Sequence, residues 1–330
     1  MENTDYDMNL NSYEYTYSYE DSTYSTPPLT TEGSKLKYLQ IVVYCIIVIF
    51  GTFLNGFIIF RVCFLHNTAI SIFFSNLATI HLLSSLFLSL NVISSWQNHH
   101  WSFGLILCKA NSFLHFLNMF FTASIITVVA GYRFVKLMAP CFAQRCHSVG
   151  TISCSLVVIW MGSTMLSTPS LVIRDTTIHE DNEIVCKDNY ALIALVPKVH
   201  ETILLSRFFC GLAIPFLVTA CCSGIILCRS GSSKMKSLQG YIIIRWVIIA
   251  YFLCWVPYQV VFILTYKTRK ENKTLTTTWM PIVTVLSMAN NVLTPAICIF
   301  MGDKKQKWME TAFNEKEEVG SQKVSEDQEL

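Results

Sequence analysis

Residues 246–266 read WVIIAYFLCWVPYQVVFILTY and carry no charged side chain. A helix rises about 1.5 Å per residue, so roughly 20 apolar residues cross about 30 Å of hydrocarbon. Pro257 sits inside this run. A proline there would break a soluble helix. A membrane helix tolerates it, because neighbouring groups satisfy the carbonyl that proline leaves free. Length, apolarity and an internal proline together predict a membrane-crossing helix.

Six more uncharged runs of similar size flank it: Leu39–Phe60, Ser71–Val92, Ala110–Tyr132, Ser148–Ile173, Phe208–Cys228 and Thr274–Met301. Composition agrees. The 330 residues are 52% hydrophobic and only 14% charged, against about 25% charged in soluble domains. Mean hydropathy is +0.45 although both ends are polar. A net charge of +2 gives no footprint for nucleic acid. The 13 cysteines are scattered mostly through apolar runs, at neither metal-ligand nor disulfide-framework spacings. The expected fold is therefore an all-α membrane protein, a seven-transmembrane helix bundle. Residues 38–302 form this body. An acidic, tyrosine-rich tail occupies 1–37, a short amphipathic eighth helix 303–313 with Trp308 and Phe313 toward lipid, and a second tail 314–330.

Orientation is open at this level, since basic residues divide almost evenly between the two sides and the positive-inside rule casts no vote. The first tail has no Lys or Arg before Lys35, and sets Tyr6, Tyr13 and Tyr19 beside or near carboxylates. It reads either as a solvated leader or as an outside segment, open to tyrosine sulfation, that attracts a cationic partner. The single Asn-x-Ser/Thr sequon, Asn272-Lys273-Thr274, is the candidate glycosylation site.

Ionisable groups at membrane depth are costly and mark function. No Asp or Glu occurs between Glu32 and Asp175, and none lies well inside a span. That argues against a proton- or cation-coupled transporter, which stays a remote alternative, and no inverted repeat is apparent. His99-His100 lies in a loop without a partner, so no enzyme, metal or cofactor is expected. Three ionisable residues stand out. Arg207, near one end of the fifth span, suits either a clamp on a ligand carboxylate or peptide carbonyl, or an internal pair with Glu201. His81, central in the second, reads as a proton switch or as a hydrogen-bonded core histidine. Arg133 ends the third span, where its head can snorkel to water.

The linear order of several motifs resembles the rhodopsin-like G-protein-coupled receptors over roughly residues 38–310. Those motifs are Gly51 with Asn55-Gly56, Asn76-Leu77-Ala78, Trp101-Ser102-Phe103-Gly104 before Cys108, Trp160, Pro215, Phe252-Leu253-Cys254-Trp255-Val256-Pro257-Tyr258, Met288-Ala289-Asn290 and Thr294-Pro295. His100–Gly104, Asn118-Met119-Phe120 and Thr168–Thr176 look most like the chemoattractant group of chemerin, formyl-peptide and anaphylatoxin receptors, with 168–176 particularly like the chemerin receptor. The resemblance implies a Cys108–Cys186 disulfide on an extracellular face, the N-terminus outside and the C-terminus in the cytoplasm of a plasma-membrane protein. It implies a peptide pocket lined by His115, Asn118, Met119, Arg207, Trp255, Tyr258, Phe262 and Met280, although Met119, Trp255 and Phe262 suit ordinary core packing equally. Phe116, where formyl-peptide receptors carry an acid, argues against a formyl ligand. The implied partners are an extracellular peptide or small protein with a cationic region, a heterotrimeric G protein of inhibitory type or an arrestin, and membrane lipid.

Departures from the family cluster on the transmission machinery. Tyr132-Arg133-Phe134 stands where the family has Asp-Arg-Tyr, so the usual ion pair cannot form. His81 replaces the aspartate that helps hold an allosteric sodium ion, and sodium binding is expected to be lost because imidazole lacks the anionic oxygen a hard cation prefers. Thr294-Pro295-Ala296-Ile297-Cys298 loses the asparagine and tyrosine of Asn-Pro-x-x-Tyr. Ser223 replaces a fifth-span tyrosine and Tyr251 a sixth-span phenylalanine. Three readings follow. One is a signalling receptor whose polar core is rewired around His81, Asn118, Asn290 and Asn291. The second is a ligand-binding scavenger or arrestin-biased receptor with weak G-protein output. The third is a decaying gene copy.

Overall fold

The computed structural model describes residues 31–65, 69–146, 149–178, 183–189, 199–229, 239–267 and 274–301. Among them are seven helices long and apolar enough to cross a membrane: Lys35–Arg61, Ile72–Trp96, Gly104–Met138, Gly150–Ile173, Val199–Arg229, Ile242–Lys267 and Met280–Met301. Each coincides with one of the uncharged runs. Several helices outrun their apolar stretch. The third begins before Lys109 and continues past Arg133 and Lys136, and the first helix starts at Thr31, inside the segment read as tail. A charged residue ends the hydrocarbon-facing run but does not interrupt the i→i−4 hydrogen-bond ladder, so helix continues into the headgroup layer. The seventh span is entered through a π-helical turn, Leu275–Trp279. Residues 1–30 of the first tail with Tyr6, Tyr13 and Tyr19, the amphipathic helix at 303–313, the tail at 314–330 and Asn272 lie outside the described residues.

The third span is the axis of the bundle. Phe121, Ile125 and Val129 pack with Leu77 and Ile80 of the second span and Ile152, Leu156 and Ile159 of the fourth. Phe116, Met119, Phe120 and Ala123 face Val247, Tyr251, Cys254, Trp255 and Tyr258 of the sixth. Tyr44, Ile47, Leu88 and Met288 join the first, second and seventh. The remaining faces expose large apolar side chains such as Phe53, Met161, Leu217 and Leu253. That is the surface a bilayer would cover, not a packing defect.

One element escapes sequence reading. Before the fifth span the chain forms an antiparallel hairpin, β1 (Arg174–Ile178) and β2 (Ile184–Asp188), with Thr176 opposite Cys186. Thr176, Thr177, Ile178, Ile184 and Val185 are β-branched and favour strand, but strands this short carry no distinctive hydrophobic period. The hairpin is tied down on all sides. Cys186 is disulfide-bonded to Cys108 at the head of the third span, and the Trp101 N–H donates to the Ile184 carbonyl at 2.7 Å. Arg174 pairs with Asp188 at 2.8 Å, and the Asn189 amide donates to Asp175 at 3.0 Å. The Trp101 indole in turn donates to the Gly104 carbonyl at 2.9 Å, and Gly104 has φ +73°, a conformation other residues adopt only with strain. The loop motif is a buttress for the hairpin.

The first and second spans meet at Gly51. A Cβ there would come within 2.4 Å of Ser85 Oγ and 3.2 Å of Ser85 Cβ. Gly51→Ala is expected to lower the thermal midpoint of the purified protein, and Ser85→Ala to recover most of that loss by removing the clashing oxygen. No recovery in the double variant would show that the two helices are not held this close.

Candidate functional site

Two polar assemblies lie inside the bundle, one above the other along the third span. The lower one spans the centre. His81 Nε2 lies 3.2 Å from Thr122 Oγ1 and 3.4 Å from the Asn290 amide. Thr122 also reaches Asn118 Oδ1 at 3.5 Å, and the Asn118 amide donates to Asn291 Oδ1 at 2.9 Å. Asn291 donates to Ser84 Oγ at 3.1 Å, Thr294 donates to Asn290 Oδ1 at 3.1 Å, and Asn55 donates to the Asn291 carbonyl at 2.8 Å. This web joins the first, second, third and seventh spans, and its members are almost wholly buried. In a medium without water each of these groups costs on the order of 1–3 kcal/mol if left unpaired, so the web fixes the register of four helices. Through Nε2, His81 ties the Asn290 amide and the Thr122 hydroxyl to the second span, while its Nδ1 is buried without a partner among the described residues.

The upper assembly is different in kind. Arg207 is 2% exposed, and its guanidinium carbon lies over Phe116 at 3.6 Å from the ring centroid and 5.3 Å from that of Phe262. Nη2 reaches only Ser170 Oγ, at 3.4 Å, and Nη1 has no hydrogen-bond partner among the described residues. Glu201 is exposed earlier on the same helix, and among the described residues no carboxylate lies within ion-pair distance of Arg207. Among the described residues, two aromatic faces and no anion hold the cation. Beside it His115 packs its ring against Trp255 and Tyr258, with centroids 5.1 and 5.2 Å apart, and neither His115 nitrogen has a partner among the described residues. Trp255 Nε1 and Gln259 Oε1 are likewise buried without partners among the described residues. Tyr258 stacks on Phe262 at 6.0 Å, and Met280 packs on the edge of the cluster.

Of the residues expected to line a peptide pocket, the structure therefore brings together His115, Arg207, Trp255, Tyr258, Phe262 and Met280. It sets two apart. Asn118 spends its amide on Asn291 in the lower web, and Met119 lies between the levels, its sulfur accepting from the Gln259 amide at 3.0 Å. Ser170 and Gln259 join the upper assembly without having been singled out in the sequence. A lone polar residue one place beyond a recognised motif was the available signal for Gln259; for Ser170 it was a place within the Thr168–Thr176 stretch.

At the far end of the bundle a small cleft is lined by Arg133, Ser223, Ile226, Leu227, Ile244, Arg245 and Ile248. Tyr132 is half-buried beside it. Pro295 is buried, and Cys298 packs against the sixth-span cluster. Ser223 thus shares a cleft with Arg133 but offers a short hydroxyl where a phenol would span it.

A family model of the 7 transmembrane receptor (rhodopsin family) matches residues 54–297. The chain belongs to the rhodopsin family of seven-transmembrane receptors. It is 30% identical over 325 residues to "Chemerin-like receptor 1" of Bos taurus, covering 91% of this chain and 89% of that one. With the Homo sapiens protein of the same name it shares 28% over 332 residues, 95% and 88% of the two chains. With the "C3a anaphylatoxin chemotactic receptor" of Danio rerio it shares 30% over 283 residues, 84% and 76%. The expected likeness to the chemoattractant receptors holds. The protein is a multi-pass membrane receptor and not an enzyme.

The sodium site of the family does not fit these residues. The lower web offers imidazole, amide and hydroxyl groups and no carboxylate. Thermal stability is expected to be equal in sodium chloride and choline chloride. His81→Asn should keep close to wild-type stability, whereas His81→Leu, which strands Asn290 and Thr122, should lower it by about 1–3 kcal/mol. A sodium-dependent midpoint, or a stable His81→Leu protein, would refute this account.

Proposed function

We propose that this receptor sits in the plasma membrane with its N-terminus and hairpin outside and its C-terminus in the cytoplasm, and responds to a chemoattractant or inflammatory peptide or small protein. The Cys108–Cys186 disulfide supports that orientation, because such bonds persist on the oxidising side of a membrane. The acidic leader, with Asp5, Asp7, Glu14, Glu20 and Asp21 among its tyrosines, suits a ligand with a cationic region.

The observation that carries the reading is Arg207. A buried guanidinium braced on Phe116 and Phe262, with Nη1 unpartnered among the described residues, is prepared for an oxygen acceptor brought from outside. A peptide carboxylate or carbonyl meets that need in bidentate fashion. His115, Trp255 and Gln259 supply further unpaired groups around it. The inner cleft with Arg133 and Arg245 is the side for a G protein of inhibitory type. Binding of labelled chemerin-like and anaphylatoxin peptides to surface-expressed receptor tests the pocket. Arg207→Ala should weaken binding at least tenfold, and Arg207→Lys should not restore it, because an ammonium lacks the fork. Binding that survives both changes would remove Arg207 from the ligand site.

A second reading, a scavenger or arrestin-biased receptor, is favoured by the substituted inner motifs at Tyr132, Ser223, Thr294 and Cys298. Ligand-driven inhibition of cyclic AMP at the level of an ordinary chemoattractant receptor would exclude it. If the missing carboxylate limits coupling, Tyr132→Asp raises stimulated output; unchanged basal and stimulated output clears that position of responsibility.

A further inference from the structure

Proline at 215 has no N–H to give. In α-helical register that N–H would serve the carbonyl of Gly211, four residues back. Gly211 is buried, and it lies within a π-helical segment of the fifth span, Phe209–Ala213. Such segments wind in an extra residue and concentrate at functional sites. The Gly211 carbonyl is bonded from outside its own helix. The Tyr251 hydroxyl, from the sixth span, donates to it and also lies 3.3 Å from the Met119 carbonyl of the third. One phenol thus touches the main chain of two other spans. Tyr251 is itself fully buried, directly below Trp255, with ring centroids 6.3 Å apart. The seat is close-fitting, since a Cβ on Gly211 would meet Met119 Cε at 2.7 Å.

We propose that the Tyr251 hydroxyl is a latch that holds the sixth span against the third and fifth, and that its acceptor exists because Pro215 withholds the N–H that would otherwise occupy Gly211. The phenylalanine expected here from the resemblance could fill the same space but not make the bond, so the latch belongs to this chain. In the dry interior neither the phenol nor the Gly211 carbonyl finds water when they separate, so opening the sixth span forfeits the whole interaction. The latch also lies in line with the ligand pocket. Arg207 ends the helical turn that leads into the π segment, so a pull on its guanidinium acts on the strand of backbone that carries the acceptor. The proposal rests on the receptor reading only in naming the sixth span as the part that moves.

The test needs neither ligand nor G protein, so it stands or falls apart from the peptide assignment. Hydrogen–deuterium exchange is measured on the full-length receptor in lipid nanodiscs, following peptides that cover residues 244–255. Tyr251→Phe keeps the ring and should speed exchange about tenfold, the factor one buried hydrogen bond supports. Pro215→Ala keeps the phenol but gives Gly211 a donor within its own helix, and should speed exchange similarly. The double variant should exchange no faster than the faster single variant, because both remove the same bond. Wild-type exchange in a folded Tyr251→Phe protein would overturn the latch, as would singles whose effects multiply. If Tyr251→Phe fails to reach the membrane, Pro215→Ala decides alone, and unchanged exchange there also overturns it.

Discussion

Hydrocarbon offers no hydrogen-bond partner, so a polar side chain inside this bundle either finds another one or destabilises it. The bond from Asn118 to Asn291 is where that constraint acts most directly, because it joins the central third span to the seventh. From it the web extends through Ser84 to the second span and through the Asn291 carbonyl to Asn55 of the first. Apolar packing around the third span supplies adhesion but little register, since lipid tails are as apolar as the side chains they replace. The amides supply the register. The upper pocket and the Tyr251 contact both depend on the heights of the helices that this web sets.

The same physics separates the two assemblies by what it leaves undone. Around His81 most donors have acceptors. Around Arg207, groups on the third, fifth and sixth spans face one another without satisfying one another: His115, Arg207 Nη1, Trp255 Nε1 and Gln259 Oε1. A folded protein retains such a deficit only where something else compensates it, and here the aromatic faces of Phe116 and Phe262 do so in part. Both levels keep some buried atoms without partners among the described residues, but below they are scattered around a connected web (Asn55 Oδ1, His81 Nδ1, Ser85 Oγ), whereas above they surround one guanidinium.

The seven helices were legible because twenty uncharged residues in succession have few other uses, and Pro257 or Pro215 within such runs narrows them further. The polar core was legible in outline, since His81, Asn118, Asn290 and Asn291 are conspicuous in apolar surroundings. Their individual bonds were not, because which face of a kinked helix meets which neighbour depends on packing that a linear pattern does not encode. Asn118 illustrates this: its sequence context suited both the pocket and the polar core, and its rotation about the helix axis puts it in the core. The β1–β2 hairpin was invisible for another reason. It is held by one disulfide, one ion pair and a few backbone bonds to Trp101 and Ile173, not by a hydrophobic period. Helix ends are less legible, because the hydrogen-bond ladder runs on past the Lys or Arg that terminates an apolar run.

The absence of a carboxylate from the web around His81 has an electrical meaning. A formal charge that moves through a membrane field exchanges about 2.3 kcal/mol with each 100 mV it crosses. Here the central web consists of amides, hydroxyls and a neutral imidazole, while the flanking guanidiniums, Arg207 and Arg133, stand toward opposite ends of the bundle. Sliding the seventh span against the second and third therefore rearranges dipoles and carries no net charge across the middle of the bilayer. The balance between conformers set at this level is decoupled from the membrane potential, and a displacement current recorded across the membrane would report only on charges near its two faces.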